Sequence, residues 1–167
     1  IDAGEGDNIV IGDNGNLVFG DEDGIVTSIS TTFPEIGGDD TITTGAGNDI
    51  ILGGNGPVDD VIDAGDGQNI VLGDHGVLTF EDGQLIRVET TDPSLGDTDY
   101  ITTGAGDDII LGGASGDVIL AGDGEDLIFG DFGLLNGTIH ADDLPLSDEK
   151  SFTFTSIDTD PGLGGDD

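Results

Sequence analysis

Short aliphatic triplets recur along the chain: IVI at 9–11, IIL at 50–52, IVL at 70–72, IIL at 109–111, VIL at 118–120 and LIF at 127–129. Between them stand polar loops of the form Gly-x-Gly-x-Asp, so apolar and polar segments alternate at a spacing near nine residues. A three-residue aliphatic run is too short for a helix, and no 3.6-residue apolar period appears. The pattern predicts an all-β chain of short strands joined by sharp glycine turns, with no helix.

Side chains alternate across a strand, so the middle residue of each triplet should face inward and its neighbours outward. Ile51, Ile62, Val71, Ile110, Ile119 and Ile128 are the expected lining of a narrow core. Outward residues differ between two sets of strands. One set shows Thr41/Thr43, Val61/Asp63 and Tyr100/Thr102, which water can wet, with Val118/Leu120 breaking that pattern. The other shows Ile50/Leu52, Ile70/Leu72, Ile109/Leu111 and Leu127/Phe129, a stripe too apolar to face water. Two covers are open: segments of the chain folding back through Leu17, Phe19, Leu78 and Phe80, or lateral packing against another copy of the chain.

A longer period of about 57 to 61 residues overlies the short one. DAGEGDNIVIGDNG at Asp2 returns as DAGDGQNIVLGDHG at Asp63 and as LAGDGEDLIFGDFG at Leu120. Such self-similarity marks a repeat architecture. It divides the chain into unit one, 1–61 (coil 1–15, hairpin 16–36, coil 37–61), unit two, 62–118 (coil 62–76, hairpin 77–95, coil 96–118), and an incomplete unit three, 119–167 (coil 119–133, excursion 134–163). The first two excursions carry Asp-Gly between β-rich segments, a hairpin signal, and the third is expected to turn at Asn136-Gly137. All three close on similar links, Pro34-Glu35-Ile36-Gly37, Pro93-Ser94-Leu95-Gly96 and Pro161-Gly162-Leu163-Gly164. The chain opens inside a repeat and stops on GGDD, where the earlier GGDD leads into another coil; a segment of a longer array is expected.

Charge changes the picture most. The 167 residues carry 37 acidic side chains against two basic ones, Arg87 and Lys150, for a net charge of −35. Self-repulsion on that scale opposes compaction, which leaves a disordered acidic tail or a fold that binds cations. Regularly placed aliphatics favour the second, since a disordered tail should lack them. Nucleic acid is excluded as a partner because the basic footprint is missing. Cysteine is absent, which removes disulfides and thiolate metal sites. No apolar run reaches the length of a membrane span.

The loops supply what a hard cation needs: glycines for positive φ and aspartates that present oxygens. Thr44–Leu52 (TGAGNDIIL), Thr103–Leu111 (TGAGDDIIL), Gly112–Leu120 (GGASGDVIL) and Ala121–Phe129 (AGDGEDLIF) follow one nine-residue frame. Gly53–Asp63 fits it with two residues inserted around Pro57-Val58, and GGDDTIT and DTDYIT add half-motifs. This frame resembles the RTX (hemolysin-type) calcium-binding nonapeptide, G-G-x-G-x-D-x-U-x with U a large aliphatic. The resemblance implies a parallel β-roll, a β-solenoid with calcium-binding turns, interrupted here by β-hairpin insertions. It implies two nonapeptides per turn and several Ca²⁺ ions held between a loop and its equivalent one turn later. Carried over position by position, the sixth-position ligands are Asp40, Asp49, Asp60, Asp99, Asp108, Asp117 and Asp126. Sites are expected between Asp40 and Asp60 and between Asp99 and Asp117 on one edge. On the other edge Asp49 pairs with the Gly65–Gly67 loop, and Asp108 with Asp126. Asn8 and Asn69 take the sixth position with a neutral oxygen and should bind more weakly. Asp13, Asp74 and Asp131, second in GDNG, GDHG and GDFG, are expected to cap the last calcium before each excursion leaves the coil.

Catalytic signatures are wanting. His75 and His140 lie in no zinc-protease arrangement, no Gly-x-Ser-x-Gly occurs, and Gly113–Asp117 is a degenerate loop. Glycoside hydrolysis needs two carboxyl groups in a cleft with separately tuned pKa values, whereas these carboxylates repeat along a surface. Asn136-Gly137-Thr138 matches a glycosylation sequon but also a turn, and no helix follows any Gly-x-Gly. The expectation is a non-enzymatic, calcium-dependent structural repeat of a secreted, cell-surface adhesin, stalk or filament. Such a chain would stay unfolded at low calcium and fold outside the cell. The alternatives are a β-roll module of a secreted enzyme or toxin whose catalytic part lies elsewhere, and a surface-binding module with specificity in the hairpins.

Overall fold

The computed structural model describes residues 1–21, 24–139 and 153–156. Within them the chain forms sixteen strands and no helix. A first coil, β1 (Asp2–Gly4) and β2 (Ile9–Ile11), leads into a hairpin of β3 (Gly15–Phe19) and β4 (Val26–Thr31). The coil resumes with β5 (Thr41–Thr44), β6 (Ile50–Leu52), β7 (Val61–Asp63) and β8 (Ile70–Leu72), then releases a second hairpin, β9 (Gly76–Glu81) and β10 (Gln84–Thr90). It continues through β11 (Tyr100–Thr102), β12 (Ile109–Leu111), β13 (Val118–Leu120) and β14 (Leu127–Phe129) to β15 (Gly133–Ile139) and β16 (Thr153–Ser156).

These strands make three sheets, each in monotonic chain order. The outer sheet is β1-β5-β7-β11-β13 and the middle sheet β2-β6-β8-β12-β14, both parallel and, apart from a register shift between β1 and β5, stacked residue on equivalent residue. The third, a cover sheet, is antiparallel: β3-β4-β9-β10-β15-β16. Each of the first two long units adds two strands to every sheet. Strands lie about 4.7–4.9 Å apart whether parallel or antiparallel, so two coils and one hairpin rise by the same amount, about 9.6 Å. That match explains the long period: one hairpin per two coils is the insertion frequency at which a hairpin sheet can grow alongside the roll without strain.

Two apolar layers follow. Val10, Ile42, Ile51, Ile62, Val71, Ile101 and Ile110 fill the space between outer and middle sheets, with Ile119 packed beside them. Ile128, expected in that core, is 46% exposed, because β14 is the edge strand and no further coil covers it among the described residues. The second layer joins the middle sheet to the cover sheet: Leu52, Leu72, Ile109 and Leu111 meet Ile29, Leu78, Leu85, Val88 and Leu135. A strand apolar on both faces reads as an unbroken aliphatic run, which is why these triplets are IIL and IVL. Burying each such side chain is worth about 1.5–3 kcal/mol, enough to hold the hairpins down along the roll.

The cover is therefore the chain itself, through Leu78 and Phe80 as expected. Leu17 and Phe19 are 39% and 52% exposed, unlike fully buried Leu78 at the equivalent place. They lie on edge strand β3, where no earlier hairpin flanks them. The second hairpin turns at Asp82-Gly83, whose φ values of 52° and 76° give the mirror-image turn that suits twisted strands. The expected turn at Asn136-Gly137 is not there: both residues lie inside β15, which pairs with β10 and β16. The remainder of the third excursion, with His140, Lys150 and the Pro161–Gly164 link, lies outside the described residues.

Candidate metal centre

Loops of successive coils stack into two columns, one along each edge of the roll. On one edge the sixth-position residues form a hydrogen-bonded ladder. The backbone N–H of Asn8 donates to Asp49 Oδ1 at 2.8 Å, that of Asp49 to Asn69 Oδ1 at 3.1 Å, that of Asn69 to Asp108 Oδ1 at 2.7 Å, and that of Asp108 to Asp126 Oδ1 at 3.0 Å. On the opposite edge Asp40 N–H donates to Asp60 Oδ1 at 2.7 Å and Asp99 N–H to Asp117 Oδ1 at 2.9 Å. One side-chain oxygen per residue thus splices its turn to the one before.

The other oxygen has no such partner. Asp49, Asp60 and Asp108 each bury an Oδ2 that accepts no hydrogen bond, and Asp99 buries both oxygens unpaired. Buried charge of this kind is paired or bound to metal in stable proteins. Space is kept for it by glycine. A Cβ at Gly73 would collide with Asp99 Oδ2, and one at Gly112 with Asp117 Oδ2 and the Gly130 carbonyl. Along the first edge, a Cβ at Gly67 would meet the Gly47 carbonyl and one at Gly106 the Gly67 carbonyl. Carboxylate and carbonyl oxygens in a close-packed loop are the donor set of Ca²⁺, which takes six to eight oxygens at about 2.3–2.6 Å. The residues present fit that ion.

Asn8 and Asn69 differ from expectation. Their oxygens do not turn toward the loop: Asn69 Oδ1 is spent on the ladder, while its Nδ2 donates to the Gly65 carbonyl at 3.2 Å and the Gly67 carbonyl at 3.4 Å. Asn8 Nδ2 likewise donates to the carbonyls of Gly4 and Gly6, at 3.1 and 2.5 Å. The amide supplies internally the positive partner those carbonyls need. At Asp49 and Asp108 the equivalent branch ends in an oxygen without a hydrogen-bond partner, facing the same loop carbonyls.

Asp13 and Asp74 stand where the hairpins depart. Asp13 accepts from Gly38 N–H at 2.9 Å and Asn55 N–H at 2.8 Å; Asp74 accepts from Asp97 N–H at 3.3 Å and Ala114 N–H at 2.6 Å. Each therefore ties the hairpin's return to the following coil. Asp126 and Asp131 are half-buried. Burial first, then neighbouring acidic charge, pushes carboxyl groups up on this edge: Asp60 to about 7, Asp74 to about 9 and Asp99 to about 10. Asp40, Asp97 and Asp108 are raised as well, again chiefly by burial.

Two participants carried no sequence signal. Asp97 joins Asp74 and Asp99 in the one group of three acidic ligand atoms, all within 4.8 Å of each other, found among the described residues. A second, exposed ladder runs through the fifth positions, from Asn48 N–H to Asp7 Oδ1 at 2.8 Å and from Glu125 N–H to Asp107 Oδ1 at 2.9 Å. His75 is buried with its Nε2 3.1 Å from the Pro34 carbonyl, a packing contact between units.

The family model of the RTX calcium-binding nonapeptide repeat (four copies) matches residues 37–57 and 102–133. No curated protein and no solved structure matches the chain. The matched stretches include Asp40, Asp49, Asp108, Asp117, Asp126 and the GDFG turn at 130–133. Those two stretches are similar to RTX calcium-binding nonapeptide repeats, and the coils stacked against them share their strand geometry.

Proposed function

We propose that this chain is a calcium-dependent structural repeat of an extracellular adhesin, stalk or filament, folding on calcium after secretion. Asp40, Asp49, Asp60, Asp99, Asp108, Asp117 and Asp126 are its calcium ligands, together with loop carbonyls, and Asp13, Asp74 and Asp131 close the coils that release hairpins. When bound, the ion supplies neutralising charge and oxygen coordination, and binding free energy becomes folding free energy. Asn8 and Asn69 mark turns whose own amide stands in for the ion.

The observation that carries the structural role is that every sheet grows by two strands per complete long unit. Added units extend the length without changing the cross-section. RTX proteins generally leave the cell unfolded, and a chain of net charge −35 suits that route. In calcium, tandem fusions of one, two and four copies of residues 1–118 should lengthen linearly in small-angle scattering, by about 10 Å per long unit. A maximum dimension that stays constant, or fusions that collapse into globules, would remove the filament role.

Asp108→Asn tests the ligand assignment cleanly, because Asn69 shows that an amide keeps the ladder hydrogen bond. The variant should fold in excess calcium yet need at least about tenfold more to reach its midpoint, a change of about 1.4 kcal/mol. An unshifted midpoint by circular dichroism would take Asp108 off the list of ligands.

A further inference from the structure

We propose that Asp74, Asp97 and Asp99 form a distinct divalent-cation clip at the foot of the second hairpin, with two of its three carboxylates supplied from outside the repeat's sixth position. The inference rests on the calcium reading above and names a different site within it. Asp74 is the second residue of the loop from which the chain leaves the roll, just before β9, and Asp97 lies where it returns after β10. Ligand atoms of the three residues lie within 4.8 Å of one another. Asp99 is fully buried with both oxygens unpaired, and Asp97 Oδ1 is buried and unpaired too. Asp97 Oδ2 meanwhile accepts from Gly56 N–H at 2.8 Å, which orients the free oxygen. Gly96 is required beside it, since a Cβ there would collide with the Asp74 carboxylate.

At the first hairpin Asp13 and Asp40 match Asp74 and Asp99, but Gly38 stands where Asp97 does. That junction has two carboxylates and Asp40 is only half-buried. The second has three, with two of them essentially inaccessible. A cation there ties the departure of the hairpin to its return, closing a loop of roughly 20 residues and fixing β9 and β10 at the entry to the cover sheet. The clip is therefore a local switch: its occupancy governs the second hairpin, and through β4 and β15 the continuity of the cover sheet.

Calcium titration with amide hydrogen exchange tests this. Asp97→Asn, and Asp97→Gly as the copy of Gly38, should each weaken one binding step at least tenfold. At intermediate calcium both should speed exchange in β9 and β10 while leaving β5 and β6 as in wild type. Asp39→Asn, on the same edge but outside the cluster, should leave that step unchanged. Isotherms and exchange identical to wild type in both Asp97 variants would overturn the clip while leaving the repeat ligands standing. Uniform loss of protection along the whole coil would also overturn it. A wild-type chain that takes up no calcium would overturn both readings.

Discussion

In a calcium chelator at neutral pH, the chain is expected to lose its β-sheet circular dichroism and expand several-fold in volume, and to recover both when calcium returns. The magnitude follows from buried carboxylates that keep at least one oxygen without a hydrogen-bond partner. Asp49, Asp60, Asp99 and Asp108 each place at least one such oxygen inside the fold. An uncompensated buried ion costs several kcal/mol even after relaxation, and a domain of this size has about 5–15 kcal/mol of net stability in total. Four such groups, whether ionised in place or held protonated above their ordinary pKa, together offset that margin. Calcium reverses the sign by binding only the folded arrangement, stabilising it in proportion to the logarithm of its concentration over Kd. Small-angle scattering should show a radius of gyration rising from roughly 15–20 Å toward roughly 40 Å on chelation. A chain equally compact with and without calcium would mean that the buried oxygens are neutralised some other way.

The sequence was most informative where one residue type has one geometric use. Aspartate at most sixth positions, with glycine two before it in the best-matching loops, marks a turn where neighbouring carbonyls approach closely and a carboxylate faces them. The IIL triplets announced a strand with two apolar faces, and the middle sheet is that strand set. The identity of the cover was less legible. Leu78 and Phe80 could be named, but joining three hairpins into one sheet depends on β4–β9 and β10–β15 pairings across distant sequence. Those pairings also override the local turn preference of Asn136-Gly137, which they draw into an extended strand. Asp97 was invisible because its repeat counterpart is Gly38, so no periodicity marks it. The orientation of the Asn69 amide carries no sequence signal for a related reason. Residue type tells that it has an oxygen, but only the stacked neighbour decides which branch the ladder takes.

Acid should do part of calcium's work. Asp60, Asp74 and Asp99 have folded-state pKa values raised to about 7, 9 and 10, against an ordinary carboxyl value near 3.8. A raised folded pKa means that the folded state binds more protons than the unfolded one, so stability falls as pH rises between the two values. The contribution of these groups is fully present below the unfolded value and is lost as pH climbs through 7, 9 and 10. Calcium-stripped protein should accordingly be expanded at pH 7.5 and regain sheet signal and compactness toward pH 5, when studied in metal-free buffer rather than with a chelator that fails in acid. With calcium present the fold should be insensitive to pH over that window, since the cation rather than the proton neutralises the site. Uptake of calcium at pH 7.5 should then expel protons from whatever fraction of these carboxyls still holds them, seen as a buffer-dependent heat in calorimetry. Compactness that stays flat or declines from pH 7.5 to 5 in the metal-free chain would show that long-range repulsion, not the buried carboxylates, keeps it open, and would move the switch from specific sites to overall charge.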